Sequence, residues 1–105
     1  LVAAISHLPY AMAVALVNAA EALADGDGMA WRLAASGFRD TSRVAAGDLT
    51  MMLDILKTNR DQILAGLASA QTQLAELACC LADDDDEGLL EIMGAARRRR
   101  LEVSE

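Results

Sequence analysis

An all-α fold follows from three features of this sequence. Alanine occurs 22 times in 105 residues and proline once, and these residues have the highest and lowest helix propensities. The hydrophobic fraction is 54% but the aromatic fraction only 3%, so the core must be built from Ala, Leu and Met, which pack helices closely. A β-sandwich would need more Val, Ile, Thr and aromatic residues, with a turn signal about every 8 to 12 residues. The apolar content also excludes disorder. The length suits a single domain with one core.

About five helices are expected, one of them long. The first covers residues 1–24, and Pro9 within it removes the bond to the Ile5 carbonyl and should bend the helix. Asp25-Gly26-Asp27-Gly28 breaks the chain. A short helix over residues 29–35 should end at Gly37 in the C′ manner. Another over 38–46 closes at Gly47, and Asp48 then caps a helix running to about residue 81. Along that helix Leu56, Ile63, Leu67, Ala70, Leu74, Leu77 and Leu81 follow a 4-and-3 spacing that skips a step at Arg60, which makes one apolar seam. At ~1.5 Å per residue such a helix would span roughly 45 Å. That exceeds the width of a five-helix monomer, so part of the seam should meet a second chain. The last helix covers residues 88–100, with Asp83 to Glu87 leading into it.

The formal charge of −7 argues against nucleic acid, whose binders present a basic face to phosphate. The basic block at Arg97 to Arg100 and the acidic block at Asp83 to Glu87 stand at the two ends of one helix, where each complements the helix dipole by about 0.3–1 kcal/mol per charge. Cys79 and Cys80 are sequence neighbours and point in different directions on a helix. They read as small hydrophobes from a reducing compartment, hence the cytoplasm. One histidine and no spaced cysteine pair give too few good ligands for a metal. The most lipid-like stretch, residues 1–17, contains Ser6, His7 and Pro9 and falls short of the ~20 apolar residues of a membrane span. The chain opens on Leu1 rather than Met, without the cationic start of a signal peptide. It is expected to be a piece of a longer protein.

The chemistry-bearing stretch is Gly37-Phe38-Arg39-Asp40-Thr41-Ser42-Arg43. A glycine turn opens a helix on which Arg39 and Arg43 stand four apart, on one face. Asp40, three before Arg43, is placed to hold its guanidinium by a charge-assisted bond. An arginine oriented in that way grips a carboxylate or phosphate bidentately; the plain alternative is a solvated intrahelical ion pair worth a few tenths of a kcal/mol. His7, beside the Pro9 bend where carbonyls come free, is either a satisfied structural histidine or a site residue.

Ser6-His7-Leu8-Pro9-Tyr10, then Gly37-Phe38-Arg39-Asp40-Thr41-Ser42-Arg43-Val44-Ala45, then Asp48-Leu49-Thr50-Met51-Met52-Leu53-Asp54-Ile55 with Asn59 resemble, in order and interval, the C-terminal domain of prephenate dehydrogenases. That family reads Ser-His-Leu-Pro-His, Gly-Phe-Arg/Lys-Asp-x-Thr-Arg-Ile-Ala and Asp-Pro-x-Met-Trp-x-Asp-Ile. The resemblance implies a two-domain enzyme in which a dinucleotide-binding domain precedes a helical domain that forms an intertwined homodimer. Such enzymes oxidatively decarboxylate prephenate or arogenate with NAD or NADP on the way to tyrosine. It implies that Arg43 binds a substrate carboxylate, and that His7, Tyr10, Gly37, Asp40 and Met52 line or support the same cleft. The sequence departs from the family at Tyr10, which replaces the second His of its motif, at Met52, which replaces Trp, and at Leu49, which replaces Pro. Tyr10 donates a hydrogen bond but carries no positive charge near neutral pH, which leaves the choice between prephenate and arogenate open.

No Gly-x-Gly-x-x-Gly occurs in the chain, so NAD or NADP must be bound mainly by the preceding domain. The family's hydroxyl-activating histidine belongs to that domain too, so no catalytic residue and no metal are expected in this chain. Two other classes fit an all-α chain of this size. One is an inert helical dimerisation module. The other is a histidine phosphotransfer bundle, against which Pro9 stands two residues after His7 and no Lys or Gly follows to support a phosphoryl group.

Overall fold

A computed structural model describes residues 2–24, 28 and 36–103. Among them the regular elements are all helical: α1 (Val2–Ala24), α2 (Ser36–Ser42), a 3-10 turn (Arg43–Ala46), α3 (Leu49–Thr58), α4 (Arg60–Ala82) and α5 (Asp86–Glu102). The all-α class is as the composition predicts. The expected short helix over 29–35 lies outside the described residues. The chain divides into two compact units, Leu1–Leu67 and Ala68–Glu105.

In the first unit, α1 packs against α2 and the 3-10 turn. The helix continues through Pro9. Ala13, with 2% of its surface exposed, lies where α1 is most deeply covered, with Tyr10 and Ile63 the other buried apolar residues among those described. Gly66 of α4 admits Leu8 of α1: a methyl group on Gly66 would lie 3.3 Å from both Leu8 δ-carbons. Glycine inside a helix costs about 1 kcal/mol relative to alanine, and close side-chain approach offsets that cost.

Three expected boundaries differ, each for a local reason. Gly37 does not end a helix but lies inside α2, where its carbonyl accepts from Thr41 Oγ1 at 2.7 Å. The helix expected over 38–46 is α only to Ser42. Ser42 Oγ donates to the Phe38 carbonyl at 2.7 Å, and two consecutive hydroxyls bonding back to carbonyls loosen the α ladder. The chain finishes as a tighter 3-10 turn, closed where the Gly47 N–H reaches the Val44 carbonyl.

The long helix is divided at Asn59, with φ −108° and ψ 28°. Asn59 Nδ2 donates to the Ile55 carbonyl at 2.9 Å, in competition with the Asn59 backbone N–H, which reaches the same oxygen at 3.1 Å. The helix resumes when Ile63 N–H bonds to the Asn59 carbonyl. The skipped step of the apolar seam at Arg60 marks this break. With the helix divided, its length no longer argues for a second chain. Asp48 does cap α3, its carboxylate accepting from Thr50 N–H at 3.3 Å.

In the second unit, α4 ends in a Schellman motif. Asp85 N–H bonds to the Cys80 carbonyl at 2.9 Å and Asp84 N–H to the Leu81 carbonyl at 3.2 Å. Asp84 occupies the left-handed position, φ 52°, where Gly is the usual residue. Asp85 then caps α5, accepting from Gly88 N–H at 2.9 Å. Left-handed backbone costs an L-residue about 1–2 kcal/mol, part of which glycine returns through its freer unfolded chain. Asp84→Gly should therefore stabilise the protein by about 0.5–1 kcal/mol, read as a higher urea midpoint at unchanged slope.

Candidate functional site

The residues singled out by the sequence fall on α1, α2, the 3-10 turn and the start of α3, all within the first unit. His7 and Tyr10 stand three apart on α1 and so share a face. His7 is half-buried, and Tyr10 retains 9% of its surface. A methyl group placed on Gly47 would lie 3.5 Å from Met52 Cγ, 4.0 Å from Tyr10 Cε1 and 3.4 Å from the Val44 carbonyl oxygen. Tyr10 and Met52 thus converge on the turn joining the 3-10 segment to α3. Glycine leaves that space open between them. The sequence marks Gly47 only as a helix stop; its place directly before the N-cap Asp48 is the one signal that the chain must fold tightly there.

Arg43 opens the 3-10 turn that packs against α1. It is exposed, and among the described residues it makes no hydrogen bond or ion pair. The expected Asp40–Arg43 pair is not made. Asp40 lies in the α-helical part and Arg43 begins the tighter segment, so the regular i,i+3 geometry does not carry across the junction. Arg39, by contrast, interacts within the chain. Gly37 and Asp40 are exposed on α2, with nothing within 4 Å of a methyl placed on Gly37.

His7 and the Tyr10 hydroxyl likewise have no hydrogen-bond partner among the described residues, so the satisfied-histidine alternative has no bond behind it. The fold brings Tyr10, Met52 and Gly47 together beside the element that carries Arg43. The 3-10 turn that packs on α1, the helix of Tyr10, thus carries a guanidinium whose five donors have no partner among the described residues. Such a surface suits an anionic, partly hydrophobic small molecule held by its carboxylate.

Other parts of the chain are less suited to a ligand. An open groove of about 400 Å³ lies at the α3–α4 break, lined by Lys57, Thr58, Asn59, Arg60, Asp61 and Gln62; none of the expected substrate-binding residues lines it. Both cysteines are free. Cys79 Sγ lies 3.7 Å from Asp83 Oδ2 and Cys80 Sγ 3.9 Å from Asp85 Oδ2. Partial burial, then the Asp85 carboxylate, with Cys79, Asp83 and Glu76 behind it, pushes the Cys80 thiol above its ordinary range. It stays protonated and weakly nucleophilic.

Among the described residues no group of three His, Cys, Asp or Glu side chains could hold a metal, and no helix is long and apolar enough to cross a membrane. The N-termini of α3 and α5 are each filled by the chain's own carboxylate, Asp48 and Asp85. Each carboxylate takes one first-turn N–H, Thr50 or Gly88, and its negative charge opposes a pyrophosphate at that place.

Comparison with known proteins adds the following. A family model described as "Prephenate dehydrogenase, dimerization domain" matches residues 1–95. A prephenate dehydrogenase of Bacillus subtilis (strain 168) is 30% identical over 96 residues, covering 91% of this chain and 26% of that protein. A prephenate dehydrogenase of Lactococcus lactis subsp. cremoris (strain MG1363) is 29% identical over 85 residues, covering 81% of this chain and 24% of that protein. The chain spans about a quarter of the length of these relatives.

Proposed function

The chain belongs to the prephenate dehydrogenase dimerization-domain family, and from that premise we propose that residues 1–105 act as the C-terminal helical domain of a dehydrogenase that oxidatively decarboxylates prephenate or arogenate with NAD or NADP. In this role the chain supplies a homodimer interface and one wall of the substrate pocket. The observation that carries the proposal is the junction of α1 with the 3-10 turn, where Tyr10 and Met52 both border Gly47 and the turn itself opens on an exposed Arg43 that has no ion-pair partner among the described residues.

The chemistry is divided between this chain and the rest of the enzyme. A domain outside this chain would hold NAD or NADP, which would supply a hydride acceptor for the ring carbon that carries the hydroxyl. Arg43 grips a substrate carboxylate, which fixes the ring relative to that domain; positioning of this kind supplies a large share of the barrier reduction in two-substrate reactions. Tyr10 donates a hydrogen bond at the pocket wall, Met52 gives it an adaptable apolar surface, and His7 stands on the same face of α1. Asp40 and Gly37 support the segment that presents Arg43. Homodimerisation accounts for large apolar side chains left exposed on a single chain, among them Leu49 (75%) and Ile5 (70%), because burying them against a second copy removes apolar surface from water.

The test is turnover. The full-length protein, offered prephenate and arogenate in turn with NAD and with NADP, should form reduced nicotinamide and carbon dioxide in equal amounts with at least one pairing. Absence of turnover with all four would overturn the proposal. A finer result is expected at Tyr10. Its hydroxyl makes no hydrogen bond among the described residues, so Tyr10→Phe should leave the melting temperature nearly unchanged. Loss of a neutral hydrogen bond to substrate should lower kcat/KM by about 3- to 10-fold, most of it in KM.

A further inference from the structure

We propose that α5 pairs with α5 of a second copy in antiparallel fashion, about the point midway between Glu91 and Ile92. This rests on the homodimer proposed above and specifies where the two copies meet. None of the side chains of α5 is buried, although helices owe most of their stability to packing an apolar face. Leu90, Met93 and Leu101 are exposed by 67, 58 and 62%. With about 100° of rotation per residue, Asp86, Leu90, Met93, Arg97 and Leu101 form one stripe. The stripe is acidic at its start, apolar in its middle and basic towards its end.

The order of these residues chooses the occupant. Leu90 and Met93 are equidistant from the proposed midpoint, and so are Asp86 and Arg97. Antiparallel pairing therefore sets Leu90 against the partner's Met93 and Asp86 against the partner's Arg97 in one register, twice by symmetry. The four aspartates at 83–86 and the four arginines at 97–100 mirror each other about the same point, so each copy brings its acidic end to the basic end of the other. A parallel pair would set acid on acid and arginine on arginine. Within the chain Asp86 and Arg97 form no ion pair among the described residues, whereas Arg99, on the opposite side of the helix, is engaged by Glu102 at 3.1 Å.

Cysteine cross-linking in the full-length protein tests the register. Cys79 and Cys80 are first replaced by serine; Leu90→Cys and Met93→Cys variants are then mixed, re-equilibrated and mildly oxidised. A disulfide-linked pair at twice the chain mass is expected, while Ala95→Cys, on the far side of the helix, should give little. Asp86→Arg should weaken dimerisation on the order of 10-fold by turning two attractions into repulsions, and mixing it with Arg97→Asp should recover the loss. A dimer by light scattering with no Leu90–Met93 cross-link, or with equal linking at Ala95, overturns this pairing and leaves the homodimer standing. A monomer overturns both.

Discussion

Arg43→Ala in the full-length enzyme should lower kcat/KM by about 30- to 1,000-fold, which is ~2–4 kcal/mol of lost transition-state binding. The size follows from what the guanidinium does in the proposed pocket. A bidentate grip on a carboxylate uses two parallel N–H bonds in a partly desolvated place, and no neighbour replaces them. Arg43→Lys should recover only part, because an ammonium is a point charge and does not match the planar fork. The melting temperature should hardly move. Arg43 is exposed and has no ion-pair partner among the described residues, and surface changes of that kind stay within about 0.5 kcal/mol. Arg39→Ala is the control. Arg39 interacts within the chain, so its loss should appear more in stability than in catalysis. Equal kinetic losses for the two arginines would remove Arg43 from the carboxylate-binding role.

Ile63→Ala should destabilise the protein by about 2–4 kcal/mol, the usual cost of emptying a buried aliphatic position that collapses only in part. Ile63 is the buried residue of α4, with 5% of its surface exposed, one turn after the Asn59 break. It anchors α4 where the helix restarts. Ile63→Val, which removes a single methylene, should cost about 0.5–1.5 kcal/mol. Denaturant unfolding followed by far-ultraviolet dichroism reads both. A loss for the alanine variant no larger than for the valine one would show that the first unit does not depend on this anchor.

Much of the architecture was legible because helices announce themselves through composition, periodicity and caps. Alanine content and the scarcity of aromatics set the class. Asp48 and Gly47 marked one boundary correctly, since a carboxylate before an apolar run and a glycine after one each satisfy backbone groups that a helix end exposes. The errors came where a polar side chain competes for a backbone carbonyl. Asn59 takes the Ile55 oxygen and ends α3, and Thr41 and Ser42 bond back to Gly37 and Phe38 where α2 gives way to a 3-10 turn. Asparagine, serine and threonine are also common on solvated helix faces, and the sequence does not say which way their side chains turn.

The candidate site was legible in part. Arg43, His7 and Tyr10 were visible as motif residues. That Tyr10 and Met52 both border Gly47 depends on tertiary packing, which has no local signal. The expected Asp40–Arg43 pair failed because it assumed an unbroken α-helix through the junction.

The most direct test of the central claim, that the junction of α1, the 3-10 turn and α3 is the substrate surface, is hydrogen exchange in the full-length protein. Exchange is followed by mass spectrometry with and without prephenate or arogenate, in the presence of oxidised cofactor. Slower exchange is predicted in peptides covering residues 7–13 and 43–52, with residues 86–102 unchanged. Saturating substrate that is turned over while those two segments exchange at the unliganded rate would contradict the claim.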